Sequence, residues 1–155
     1  MPAQITAPSS AGVGRGNFVL LRAGTLRLLL PQDQVGDAEY VEHTVRPTET
    51  PGLFAYGDEG GQRLVVALSD HMLGLSEFPR DRFVLTRLAN TRYDLSFAWH
   101  EVRVLIDTTL ERRQLPAPLG ADAGPIEDYT MIDDEPVLCS TAEAVVSFTL
   151  ALTRS

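Results

Sequence analysis

The chain has 155 residues, of which 44% are apolar, enough for one respectable hydrophobic core in a single domain or two small intimate lobes. Its formal net charge is -8 and all thirteen of its basic residues are arginine, so it offers no lysine for a Schiff base or a phosphate loop. An acidic chain without a basic cluster larger than Arg112-Arg113 repels a phosphate backbone, which argues against nucleic acid as a partner.

Residues 1–16 are rich in Ala, Ser, Pro and Gly and are expected to form a flexible leader, with folded structure starting near Asn17 and a single domain over 17–155. Gly12-Val13-Gly14-Arg15-Gly16 has the look of a glycine-rich phosphate loop, but it precedes the first strand instead of following one. Phe18 to Leu21 and Leu26 to Leu30 are apolar runs joined by Ala23-Gly24-Thr25, a tight hairpin. Pro31-Gln32-Asp33-Gln34-Val35 ends the second run and can start one helical turn. Val41 to Val45 reads as a strand, and Pro47 and Thr50-Pro51-Gly52 keep the next segment irregular.

Gly57-Asp58-Glu59-Gly60-Gly61-Gln62-Arg63 is an acidic, glycine-rich turn feeding Leu64 to Leu68, which is apolar at every position and is expected to be a strand buried on both faces. Phe83 to Leu88 is a further strand. Tyr93, Leu95, Phe97 and Trp99 alternate with Arg92, Asp94, Ser96 and Ala98, the strongest period-two signal in the chain. The phase breaks at His100-Glu101 and resumes at Val102, Val104 and Ile106, which implies a bulge or a sharp bend. Tyr129 to Ile132 and Val137 to Cys139 flank an acidic hairpin turn, Asp133-Asp134-Glu135-Pro136, and Ala142 to Leu152 closes the chain as a short helix or a strand. No long amphipathic helix of the kind a βαβ unit needs is visible, so the fold class is all-β, built of small barrels.

Catalytic and metal chemistry find little support. His43, His71 and His100 lie far apart, and the single cysteine, Cys139, sits in an apolar run that suggests a small buried hydrophobe in a reducing compartment. No metal or cofactor is expected. Asp94, Ser96 and His100 straddle the phase break and share no face that the sequence specifies. No apolar run reaches the roughly 20 residues of a membrane span, and the first sixteen residues lack the pattern of a signal peptide, which points to the cytoplasm.

Taken in order, several blocks resemble the CheW-like family of chemotaxis coupling domains. Thr50-Pro51-Gly52 followed by Gly57 to Asp70 is similar to the family's central segment, with Val65-Val66-Ala67-Leu68-Ser69-Asp70 in place of its Val-Leu-Pro-Val-Ile-Asp strand, and Leu73-Gly74-Leu75 resembles the end of its next short helix. Phe18 to Val35 looks like its paired first strands and the Pro-Leu-x-x-Val step. Ser96 to Val102 matches its Gly-Leu-Leu-Val-Asp-x-Val segment with His100 in place of the acid, Leu115-Pro116-Ala117-Pro118 its proline loop, and Ile132 to Leu138 its late hairpin before a last helix at Thr141 to Val146.

The resemblance implies two intertwined five-stranded SH3-like β-barrels with short helices. It also implies a non-enzymatic adaptor that couples a CheA-type histidine kinase to the cytoplasmic tip of a chemoreceptor, in a specialised or pilus-linked system. Protein-binding positions would fall on Val35, Gly57, Gln62, Arg63, Val65 and His100. Gly60-Gly61-Gln62 replaces the family's Asn-Leu-Arg turn, and Arg63, one residue later, would point to the opposite face of a strand. Two other readings stand beside this one: a β-barrel module that binds a small molecule or an unrelated protein, and an enzyme using His100 with a carboxylate.

Overall fold

Gly24 takes φ 63, a left-handed conformation that glycine adopts without a Cβ clash, and this lets β1 (Gly12–Ala23) fold back on β2 (Leu26–Pro31). The structure is a computed structural model that describes residues 12–36, 38–40, 46–50, 53–57, 63–66, 68, 84–88, 95–114, 126 and 128–153. After β2 the chain makes one 3₁₀ turn at Gln32–Gln34. It then runs through β3 (Glu39–Tyr40), β4 (Arg46–Pro47), β5 (Leu53–Tyr56), β6 (Arg63–Val66), β7 (Val84–Arg87) and β8 (Leu95–Trp99). Three more strands, β9 (Glu101–Gln114), β10 (Asp128–Ile132) and β11 (Glu135–Cys139), precede α1 (Ala142–Thr153).

Strands from the two ends of the described chain close a five-stranded barrel in the order β1-β2-β11-β10-β9. Parallel pairing of β11 with β2 seals it, through Leu138 opposite Leu28 and Cys139 opposite Leu29. The middle of the chain forms a second, six-stranded sheet in the order β3-β7-β8-β6-β5-β4. The expected all-β class and first barrel are therefore present, while the expected second five-stranded barrel is this wider sheet with two-residue strands at its edges. A flat sheet of six strands would hold its edges about 24 Å apart. The chain from Tyr40 to Arg46 spans at most about 21 Å, so the sheet must curl.

Three apolar clusters follow from the alternation of the strands. Phe18, Leu20, Leu29, Leu105, Leu110, Val137 and Cys139 fill the barrel, and Phe54, Tyr56, Val65, Leu85 and Ala98 line the inside of the second sheet. The largest cluster joins the two lobes: Val19, Leu21, Leu28 and Leu30 from the barrel meet Val66, Leu68, Phe97 and Trp99 from the sheet, with Ala142, Val145 and Val146 of α1 against them. Phe97 and Trp99, two apart on one strand, stack with centroids 6.1 Å apart.

Several local expectations change. β1 begins at Gly12, not near Asn17, because Gly12 to Gly16 pair with Arg112 to Thr108 of β9. The break at His100 is a bend that ends β8 and starts β9, one of the two outcomes expected there. A second irregularity was not foreseen: Asn17 faces both Ile106 and Asp107, and Asp107 takes φ 51. Leu105 faces the barrel interior, and the extra residue shifts the phase so that Leu110 also enters it, while Val104 and Ile106, on the opposite face from Leu105, are 49% and 62% exposed. Leu64 is 43% exposed, so β6 is not buried on both faces. The final segment is a twelve-residue helix, one of the two outcomes expected for Ala142 to Leu152, and it runs past the Thr141 to Val146 that the resemblance implied. The expected features at Val41 to Val45, Leu73 to Leu75 and Leu115 to Pro118 lie outside the described residues.

Candidate functional site

Two of the sequence-selected residues mark the crossings between the lobes. Val35 follows the 3₁₀ turn where the chain leaves the barrel, and forms an isolated antiparallel bridge with Leu88 of the second lobe. Next to it, Gly36 donates its N–H to the Arg87 carbonyl at 2.6 Å, and a Cβ on Gly36 would lie 3.1 Å from that same oxygen. His100 sits where the chain returns to the barrel, half-buried between β8 and β9. Its backbone N–H donates to the Arg22 carbonyl at 2.8 Å, and its Nδ1 accepts the N–H of Gly24 at 2.8 Å.

Three of the others, Gly57, Arg63 and Val65, belong to one hairpin of the second lobe. Tyr56 of β5 opposes Arg63 of β6, and Gly57, with φ 119, starts the connection between them. Gln62 lies outside the described residues. Val65 is fully buried within the second sheet and presents no side-chain surface to a partner. The structure thus separates the five described positions into two inter-lobe crossings and one hairpin, instead of a single patch.

Sequence reasoning passed over the end of the barrel next to His100. Arg22 Nε lies 3.3 Å from Glu101 Oε1, Arg103 Nη1 lies 2.7 Å from Asp133 Oδ2, and Arg27 pairs with Glu135. These pairs link β1 to β9, β9 to the β10–β11 turn, and β2 to β11, so alternating charges lace one rim. The hydrogen bond to Asp133, reinforced by its charge and that of Glu101, raises the Arg103 guanidinium above its ordinary value. The partners are far apart in sequence and only the barrel register brings them together. At the bulge Arg15 grips Asp107 with Nε and Nη2, each at 2.6 Å, which likewise raises the arginine.

Two exposed apolar side chains share strand faces with residues of the core between the lobes. Leu64 shares a face of β6 with Val66, which enters that core, and Leu64 itself is substantially exposed. Val104 shares a face of β9 with Val102, packed against the same core, and it too is exposed. Each lobe therefore has an exposed apolar side chain on a strand face that continues from the shared core. By contrast the potential nucleophile is enclosed: Cys139 opposes Asp128 inside the barrel and both are buried. No group of three or more His, Cys, Asp or Glu side chains able to hold a metal is found among the described residues. No helix among them is long and apolar enough to cross a membrane.

A closed barrel joined through a shared core to a second curled β-sheet defines a class of two-lobed β fold. No family model matches the sequence, and no curated protein matches it. Among solved structures, the chain is similar to the scaffolding protein TtCheW from Thermoanaerobacter tengcongensis, with a TM-score of 0.58 and 14% identity over 82% of this chain and 89% of that one. The fold is that of CheW, which is where the ordered blocks of the sequence pointed.

Proposed function

We propose that this chain is a non-enzymatic, CheW-like adaptor that couples a CheA-type histidine kinase to the cytoplasmic tip of a chemoreceptor within a chemosensory array. The observation that carries the reading is the pair of exposed apolar side chains, Leu64 and Val104, one from each lobe, on strand faces that continue from the inter-lobe core. Apolar side chains exposed beside a rigid core, ringed by charge, are the anatomy of a protein-binding surface. The scaffold role of a protein that shares the fold supports the same reading. The glutamine at position 62, in place of the family's turn arginine, favours a specialised or pilus-linked system over a standard receptor contact. The adaptor would work in the cytoplasm and needs no cofactor.

Pull-down of the kinase's regulatory region and of receptor-tip fragments from the same organism, using the full chain as bait, tests the proposal. Capture of the kinase is expected. Failure to bind either fragment at micromolar concentrations would sink the adaptor reading and leave the fold with a different ligand.

A further inference from the structure

The bond between Gly24 and His100 has a chemical property that its neighbours lack. The bend at His100 is tied to the β1–β2 hairpin by two hydrogen bonds, one from the His100 backbone N–H to the Arg22 carbonyl and one from the Gly24 N–H to His100 Nδ1. The first joins backbone groups and is indifferent to pH. The second needs a lone pair on Nδ1, which exists only while the imidazole is neutral with its proton on Nε2. Protonation places an N–H on Nδ1 facing the Gly24 N–H, so an acceptor becomes a second donor at 2.8 Å. A carboxylate or an amide oxygen at this position would accept the same proton throughout the neutral range.

Among the described residues, the charged groups that surrounding elements bring to this end of the barrel are Arg22 from β1, Arg27 from β2, Glu101 and Arg103 from β9, Asp133 from the β10–β11 turn, and Glu135 from β11. Each is engaged with another of the set: Arg22 with Glu101, Arg27 with Glu135, and Arg103 with Asp133. Arg22 also donates to the Gly24 carbonyl at 3.3 Å, so the hairpin turn is held from the barrel side as well. These ion pairs join the strands of the rim to one another without drawing on the His100 imidazole.

We propose that His100 is a proton-sensitive latch at the crossing from the second sheet into the barrel, closed on Gly24 when the imidazole is neutral and released when it is protonated. Histidine is the side chain whose charge ordinarily changes between about pH 5 and 8, so the latch is set toward the alkaline side of that range and lost toward its acid side. The consequence is a crossing between lobes that loosens under mild acid without unfolding the barrel. This follows from the isolated chain and stands whether or not the protein is an adaptor.

Amide hydrogen exchange of Gly24, followed by NMR and corrected for the intrinsic pH dependence of exchange, reads the latch directly. In the native protein, Gly24 protection is expected to fall roughly fivefold to tenfold between pH 7.5 and 5.5, the loss of one modest hydrogen bond. In His100→Asn, whose amide oxygen can replace Nδ1, protection should persist and be flat with pH. The ¹⁵N shifts of the His100 ring should report the Nε2–H tautomer at pH 7.5. Equal protection of the native Gly24 amide at both pH values, the same fall in His100→Asn, or an Nδ1–H tautomer would each overturn the proposal.

Discussion

Trp99 donates its indole N–H to the hydroxyl of Thr86 at 2.8 Å, and both residues are buried between β7 and β8. A buried donor left without an acceptor costs its full desolvation, about 1–3 kcal/mol. Thr86→Val keeps the shape and removes the acceptor, so it should destabilise the fold by about that amount. Thr86→Ser keeps the hydroxyl and loses only a methyl, which costs about 0.8 kcal/mol by burial alone. Trp99 is the sole tryptophan, so urea denaturation followed by its fluorescence measures both variants. Equal losses for Val and Ser would show that the bond is not what Thr86 contributes.

The hairpin turn between β10 and β11 places two consecutive aspartates in the left-handed region, Asp133 at φ 54 and Asp134 at φ 65. This is the signature of a type I′ turn, which matches the twist of the flanking strands and tolerates Asp, Asn and Gly. Asp133 is committed to Arg103, but Asp134 can be varied. Asp134→Gly should be neutral or slightly stabilising, and Asp134→Val should cost about 1–2 kcal/mol from the left-handed backbone. Thermal melts of the pair decide it: a Val variant as stable as the Gly variant would mean that the turn rearranges.

The amino end of α1 is capped twice, once from its own sequence and once from the far side of the chain. Thr141 Oγ1 accepts the N–H of Ala144 at 3.1 Å, an ordinary N-cap. Gln34 Oε1, in the 3₁₀ turn after β2, accepts the N–H of Ala142 at 2.8 Å. Thr141→Ala and Gln34→Ala should each cost about 0.5–2 kcal/mol. The two bonds satisfy different donors of one helix end, so the double variant should cost close to the sum of the two. A double-mutant cycle in urea tests this. A near-zero effect of Gln34→Ala would mean that water caps Ala142 equally well.

What could be read from the sequence was what is decided locally. Gly24 announces its hairpin because only its own φ is at stake, and the Asp133-Asp134 turn does so for the same reason. The bend at His100 shows as a broken alternation within a few residues. The bulge at Asp107 could not be read, because its partner Asn17 is 90 residues away and nothing in Leu105-Ile106-Asp107 demands an extra residue. Gln34 as a helix cap, 108 residues from the amide it satisfies, was hidden likewise. The exposure of Leu64 was misread because an unbroken apolar run resembles a strand covered on both faces. Burial depends on which lobe lies opposite, and that is set by topology. The same limit applies to the site: individual residues at the crossings could be named, but the laced rim and the exposure of Leu64 and Val104 could not.

Because the largest cluster draws on both lobes and on α1, the lobes should not unfold separately. Leu21 of β1 is fully buried in that cluster, on the barrel side, while Trp99 reports from the second sheet. Leu21→Ala should cost about 2–5 kcal/mol, through lost burial and a partly relaxed cavity. The loss should appear equally in Trp99 fluorescence and in far-ultraviolet circular dichroism, with one coincident transition. A fluorescence midpoint that stays at the native value while dichroism shifts would show that the second sheet is stable on its own.

The exposed rim of that cluster gives the sharpest test of function against stability. Leu64 and Val104 are each about half in water already, so Leu64→Asp and Val104→Asp remove little buried contact and should cost well under the core substitutions, within about 1 kcal/mol. If the rim receives a partner, a carboxylate there becomes a charge buried without a counterion on binding, and affinity should fall by a factor of about thirty or more. Met131→Asp supplies the control: its side chain is similarly exposed, but on β10, away from the inter-lobe core. Affinity measured by calorimetry should fall for the first two and hold for the third, with all three variants folded. Equal weakening by all three would mean that added negative charge is the cause. Undiminished binding by Leu64→Asp and Val104→Asp would move the partner off the inter-lobe rim altogether.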